Sequence, residues 1–179
     1  MNQPHLGSSD AESRPVSARR VRFIGYLTAL TALVLDQASK AWAESALIVG
    51  DRHPLLGPWF GLELAYNAGA AFSLASNATA VVTVVAVAGA AVAAWLIWKA
   101  ASLSWGIGLG LVLGGALANV LDRLLRPPGF GVGHVVDYLA YADWFIGNLA
   151  DVFVFAGLAV CFVLTVLGKP MRARESDPA

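Results

Sequence analysis

Two aspartates in the second half of the chain, Asp137 and Asp151, are the residues best suited to do chemistry. Neither has a lysine or arginine within a helical turn, since Asp137 follows two valines and Asp151 follows an apolar dipeptide. If the fold brings the two carboxyl groups together, repulsion and partial desolvation raise one pKa, and the pair then shares a proton. Such a pair can activate a water molecule and protonate a peptide carbonyl, which is how aspartic peptidases hydrolyse peptide bonds.

Other charged side chains occur inside long apolar stretches, where a charge is costly unless it has a partner. Asp36 and Lys40 are four residues apart and share a helix face, as do Asn119, Asp122 and Arg123 at spacings of three and four. We predict internal ion pairs between Asp36 and Lys40 and between Asp122 and Arg123. These groups are interpreted as scaffold, in contrast to the two aspartates that lack a cation.

The remaining reactive residues give weaker signals. There is no His-Glu-x-x-His motif and the three histidines are far apart, so we expect no metal site. We expect His134 to face water in a loop, although it could also stand beside Asp137, three residues later. Asp143 is close enough in sequence to compete with Asp137 for a place in the pair. Cys161 stands alone among apolar residues and is interpreted as a packing residue.

The elements that must position these side chains are membrane helices. Of the 179 residues 58% are hydrophobic and only 13% are charged, which is too apolar for a soluble domain of this size. A spanning helix needs about 20 mostly apolar residues. Four such stretches run from about 23 to 42, 80 to 98, 103 to 125 and 146 to 167. We predict an all-α membrane protein with four transmembrane helices. We also predict a small β element on the outer side, because larger apolar side chains occur at every second position from residue 62 to residue 66.

The distribution of lysine and arginine predicts the orientation in the membrane. Eight of the 12 basic residues fall on one side of the predicted spans, which we expect to be cytoplasmic: Arg14, Arg19, Arg20, Arg22, Lys99, Lys169, Arg172 and Arg174. Residues 1–18 and 169–179 are expected to be tails on that side, with the first tail disordered and with residues 19–168 forming one four-span domain. The first span could be read as a cleavable signal, but its length and its internal charges favour a retained helix. A net charge of zero gives no reason to expect nucleic-acid binding.

Five short motifs occur in order along residues 23 to 167. They are Asp36-Gln37-Ala38-Ser39-Lys40, Asn67-Ala68-Gly69-Ala70-Ala71-Phe72, Gly114-Gly115-Ala116-Leu117-Ala118-Asn119-Val120-Leu121-Asp122-Arg123, Val135-Val136-Asp137-Tyr138 and Asn148-Leu149-Ala150-Asp151. Together they resemble the motifs of the lipoprotein signal peptidase family, the signal peptidase II type of bacterial membrane aspartic peptidase.

The resemblance implies that Asp137 and Asp151 are the catalytic dyad. It implies supporting or substrate-binding roles for Asp36, Lys40, Asn67, Gly115, Asn119, Asp122, Arg123, Asn148 and Ala150. It further implies an endopeptidase of the bacterial cytoplasmic membrane that removes signal peptides from diacylglyceryl-modified prolipoproteins, cutting before the lipidated cysteine at the outer face. No metal or organic cofactor is implied, and we expect a monomer surrounded by membrane lipid.

The sequence departs from the family pattern at three places. Ala118 and Gly147 stand where the family usually has glycine and phenylalanine, and 13 residues separate Asp137 from Asp151, fewer than expected. These departures leave open an inactive homologue that binds precursors without cutting them. A proton-coupled transporter is a second alternative, because intramembrane carboxylates can relay protons. It is disfavoured because the acidic residues cluster toward the outer side.

Overall fold

A computed structural model of the protein describes residues 17–69 and 75–172, and of residues 75–78 it describes the backbone only. Most of the predicted first tail lies outside these ranges, as do residues 173–179. Ala70, Ala71 and Phe72, the last residues of the second motif, lie outside them as well.

Within these described ranges, four helices are long and apolar enough to cross a membrane. They are α1 Ala18–Ala46, α2 Ala75–Lys99, α3 Leu103–Leu125 and α4 Leu149–Val166. The hydroxyl of Ser17 caps α1 and that of Ser102 caps α3, each by accepting from a backbone N–H three residues later. The predicted four-helix membrane fold with a small β element is thereby confirmed.

Helix α3 is the centre of the bundle, and the other three helices pack against it. Glycines allow the close approach, because a Cβ at Gly110 or Gly114 would collide with the backbone carbonyl of Gly25 or Ala29 on α1. The methyl group of Ala118, one of the departures from the family pattern, is fully buried. Cys161 packs against α3 beside Gly108, as expected of a packing residue.

A four-stranded antiparallel sheet lies at one end of the bundle, which we call the sheet end. Its strands are β1 His53–Leu56, β2 Phe60–Asn67, β3 Val135–Tyr141 and β4 Phe145–Gly147, in the spatial order β1-β2-β3-β4. Leu64, Val136 and Tyr138 bury one face of the sheet against Ala43 near the end of α1. Residues 62 to 66 lie within β2, so the predicted strand is confirmed.

The helix of the fourth span begins three residues later than the predicted start near residue 146. Residues 146 and 147 belong to β4, and the helix starts only at Leu149 because Asn148 caps its first turn. The β3–β4 hairpin also explains the short spacing between Asp137 and Asp151, because a tight hairpin connects two strands with few residues.

The opposite end of the bundle carries the described members of the basic group that the sequence predicts to be cytoplasmic. Arg22 donates to the Trp98 carbonyl and its guanidinium lies 3.8 Å from the centre of the Trp98 ring. The segment after α4 folds across this end, where the Trp105 indole donates to the carbonyl of Lys169 at 3.2 Å. The described members of the predicted basic group thus lie at the end away from the sheet.

Candidate active site

Asp137 lies in β3, opposite Ala65 of β2, and its carboxylate is buried with 2% of the residue exposed. Its two oxygens accept hydrogen bonds from two side-chain amides. Asn67 donates to Oδ2 at 2.8 Å and Asn148 donates to Oδ1 at 2.6 Å. Burial raises the pKa of Asp137 from its ordinary value of 3.8 to about 6, although both amides favour the ionised form.

Asp151 lies in the first turn of α4 and forms a capping box with Asn148. Its Oδ2 accepts from the backbone N–H of Asn148 at 3.1 Å, and its Oδ1 accepts from the side-chain amide of Asn119 at 3.1 Å. The N-terminus of a helix favours a negative charge at this position. Since Asn148 bonds to both aspartates, it holds the two carboxyl groups in one site.

A buried ion cluster lies behind this pair. The Lys40 ammonium is 2.7 Å from Asp36 Oδ2, 2.8 Å from Asp122 Oδ2 and 2.9 Å from Asn119 Oδ1. The predicted pair of Asp36 with Lys40 is present, and both side chains are fully buried. Because Lys40 holds the amide oxygen of Asn119, the amide NH₂ group of Asn119 is turned toward Asp151.

The predicted ion pair between Asp122 and Arg123 is wrong. Asp122 Oδ1 instead accepts from Arg126 Nε at 2.8 Å, and Arg126 also bonds to Glu44 at 2.7 Å. Adjacent residues on a helix diverge, whereas residues four apart meet, so the spacing of Asp122 and Arg126 was the signal that could have revealed this pair. Arg126 and Glu44 were both missed by reasoning from the sequence.

Arg123 contacts the loop that follows β2. Its guanidinium donates to the Ala68 carbonyl at 3.5 Å and lies against Gly69, which has a positive φ of 82°. A Cβ at Gly69 would approach the guanidinium to 2.8 Å, so glycine is needed there for space as well as for backbone conformation. Arg123 is within electrostatic range of Asp137 and Asp151. Among the described residues, however, neither aspartate forms an ion pair within 4.0 Å.

Gly115 and Ala150 determine how closely α4 approaches α3 beside the pair. A Cβ at Gly115 would collide with the Ala150 carbonyl and come within 2.8 Å of Val154. Ala150 is fully buried, and its backbone N–H donates to Asp36 Oδ1 at 2.7 Å. The start of α4, and with it Asp151, is therefore tied to α1 and α3 together.

Gly147, the other residue that departs from the family pattern, lies against both Asp151 and Phe145. A Cβ at Gly147 would be 2.9 Å from Asp151 Oδ2 and 3.3 Å from the Phe145 ring. Phe145 also stacks on Tyr141, with ring centroids 4.8 Å apart. An aromatic ring thus covers the position next to Asn148. This ring belongs to Phe145, whereas the family usually has its phenylalanine two residues later, at position 147.

Asp143 and His134, which the sequence offered as possible neighbours of the pair, lie away from the two carboxyl groups. The Asp143 side chain is 97% exposed at the β3–β4 turn, where it pairs with Arg52 at 2.7 Å. His134 is half-buried in the loop before β3, where it lines a cavity of about 340 Å³ with Glu44, Tyr66 and Arg126. Neither residue contributes a hydrogen bond to Asp137 or Asp151 in the described part of the chain.

In the part of the chain that the structure describes, four apolar helices with a buried polar network at one end define an integral membrane protein. Comparison with known proteins identifies the kind of membrane protein. The family model described as signal peptidase (SPase) II matches residues 28–167. The chain belongs to the signal peptidase II family, which confirms the resemblance stated from its motifs.

Individual relatives agree with this assignment. The chain is 37% identical over 168 residues to a lipoprotein signal peptidase of Mycobacterium avium, a match that covers 94% of this chain and 91% of the relative. It is 38% identical over 177 residues to one of Leifsonia xyli, a match that covers 96% and 82%. A bacterial membrane enzyme solved by the in meso method at 2.3 Å resolution has the same fold. It has a TM-score of 0.68 and 21% identity over 86% of this chain and 94% of that one.

Proposed function

We propose that this protein is an aspartic endopeptidase that removes signal peptides from prolipoproteins, with Asp137 and Asp151 as its catalytic pair. The observation that carries the proposal is the bridge made by Asn148, which bonds to Asp137 through its side chain and to Asp151 through its backbone. Membership of the signal peptidase II family supports the same reaction.

In the proposed reaction Asp151 is the base and Asp137 is the acid. The ionised Asp151, at the start of α4, accepts a proton from a water molecule as that water attacks the scissile carbonyl carbon. Asp137, whose pKa burial raises to about 6, donates its proton to the carbonyl oxygen in the fraction of the enzyme that carries this proton. Collapse of the tetrahedral intermediate breaks the C–N bond as the proton now on Asp151 passes to the leaving amine. One hydroxyl of the intermediate returns its proton to Asp137 as the carbonyl re-forms, which restores both carboxyl groups to their starting states.

The supporting residues hold this pair in place. Asn67, Asn119 and Asn148 supply the amide hydrogen bonds to the two carboxyl groups. The other six act through backbone position or charge, as described above: Asp36, Lys40, Gly115, Asp122, Arg123 and Ala150.

The orientation in the membrane follows from the basic end of the bundle. Lysine and arginine are retained on the cytoplasmic side, so both termini face the cytoplasm and the sheet end faces outward across the bacterial cytoplasmic membrane. The substrate is a prolipoprotein bearing a diacylglyceryl cysteine, cut just before that cysteine, and the enzyme acts as a monomer. An exported signal peptide ends at this outer boundary, which is where Asp137 and Asp151 lie.

Purified protein in detergent should cleave a diacylglyceryl-modified precursor and leave the same precursor without lipid intact. The matched pair of substrates isolates the role of the lipid, because the peptide sequence is unchanged. Release of the signal peptide is followed by mass spectrometry. Equal cleavage of both precursors would contradict the substrate assignment, and binding of the lipidated precursor without turnover would identify an inactive homologue.

The pH dependence of cleavage should reflect the raised pKa of Asp137. Above about pH 6 the acid loses its proton, so kcat/KM is expected to fall as pH rises. Asn67→Ala removes a hydrogen bond that favours the ionised form, and the descending limb should therefore move to higher pH. A limb at the same pH in both proteins would show that Asp137 is not the group that titrates.

A further inference from the structure

The end of the sheet that lies away from Asn67 and Asp137 carries an apolar surface that the peptidase reaction does not use. We call residues 55–60 and 141–145, which make up the β1–β2 and β3–β4 turns with their flanks, the hairpin end. Its largest exposed side chains are Trp144 at 81%, Trp59 at 71% and Leu56 at 68%. Two neighbouring turns each expose a tryptophan, which is unusual for a surface that faces only water.

Specific contacts join the two turns of the hairpin end. The Arg52 guanidinium bonds to Asp143 and to the Ala142 carbonyl, both at 2.7 Å, and the backbone N–H of Ala142 donates to the Trp59 carbonyl at 2.8 Å. The Tyr141 ring lies between two phenylalanines: it stacks on Phe145 with centroids 4.8 Å apart, and Phe60 packs against it at 5.4 Å with its ring tilted by 58°. The two tryptophans are therefore presented by one braced surface rather than by two independent loops.

The length of α4 indicates how far this surface lies from the hydrocarbon. The helix has 18 residues and so extends about 27 Å, close to the roughly 30 Å thickness of a hydrocarbon core. Leu149, at its start, must then lie near the boundary of that core. Phe145 is four residues earlier and is at most about 13 Å away even in an extended chain. The hairpin end is consequently within reach of the headgroup layer.

We propose that the hairpin end is a membrane-contact site that inserts Trp59 and Trp144 into the headgroup layer on the sheet side of the bilayer. Tryptophan is enriched at this depth because its ring is apolar and its indole N–H can still find a polar partner. The nearby ion pair of Arg52 and Asp143 suits the same layer, since charged headgroups and water surround it. The partner is phospholipid. The contact would fix the position of β3, which carries Asp137, along the membrane normal.

The test uses the full-length protein labelled with fluorotryptophan and reconstituted in phosphatidylcholine vesicles. Fluorine NMR signals are assigned with single Trp→Phe variants. Phosphatidylcholine carrying a nitroxide on its headgroup should remove the Trp59 and Trp144 signals from the spectrum. Trp105, which is 8% exposed at the opposite end of the bundle, is the internal control and should resist a water-soluble paramagnetic chelate.

Two results would overturn the proposal. Loss of the Trp59 and Trp144 signals to the soluble chelate, with no effect of the labelled lipid, would place the hairpin end in water. Protection from both reagents, which disappears when the protein is diluted with lipid, would show that a second copy of the chain covers it. The double variant W59S/W144S should still cleave precursor in detergent at the wild-type rate, so this test is independent of the catalytic assignment.

Discussion

Asp137→Asn and Asp151→Asn are each expected to lower kcat for prolipoprotein cleavage by on the order of 10⁴-fold or more. Asparagine keeps the shape of the side chain but can neither take a proton from water nor donate a carboxyl proton. The loss should be similar in both variants, because the acid and the base act as one unit. The measurement is the rate of signal-peptide release in detergent at saturating substrate.

Asp143→Asn is the matched control for these two variants. Asp143 lies between them in the sequence, but its side chain is 97% exposed and pairs with Arg52 at the β3–β4 turn. Its activity should remain within about twofold of wild type, because exposed ion pairs contribute little. Thermal unfolding of each variant separates loss of chemistry from loss of structure. Retained cleavage by either dyad variant, or its loss only in Asp143→Asn, would contradict the assignment.

Lys40→Met should be the most destabilising single change in the polar network, by about 3 to 5 kcal/mol. The ammonium is the cation that both Asp36 and Asp122 contact, and these two residues are 0% and 1% exposed. Without it Asp36 is a buried carboxylate with no positive partner among the described residues, whereas Asp122 keeps Arg126 at 2.8 Å. The expected observation is a large drop in unfolding temperature in detergent.

A second substitution tests the physical reason for that drop. Asp36→Asn in the Lys40→Met background removes the unpaired charge, so part of the lost stability should return. Activity should stay low in the double variant, because Lys40 no longer orients the Asn119 amide that bonds to Asp151. If the double variant were less stable than Lys40→Met alone, the cost would not come from an unpaired carboxylate at Asp36.

Reasoning from the sequence was most successful where the signal is local. The apolar stretches predicted four membrane helices, and the i,i+4 spacing of Asp36 and Lys40 predicted their ion pair. It was less successful where two nearby residues could form the same ion pair, or where one apolar stretch could form either helix or strand. Arg123 is adjacent to Asp122 in the sequence, but Arg126 has the helical spacing that forms the pair. Residues 146 and 147 continue the apolar stretch of the fourth span, but they pair with β3.

By itself the sequence determined which residues are costly to bury in a membrane and must therefore be partnered or functional. Burial cost depends on residue type and on the apolar length around it, and both can be read from a linear chain. Only the tertiary structure decided which donors meet which carboxylates. Asn148 is 11 residues from Asp137, Asn119 is 32 from Asp151, and Lys40 is 79 from Asn119. Contacts over such separations depend on how helices and sheet pack, for which a single sequence carries no local signal.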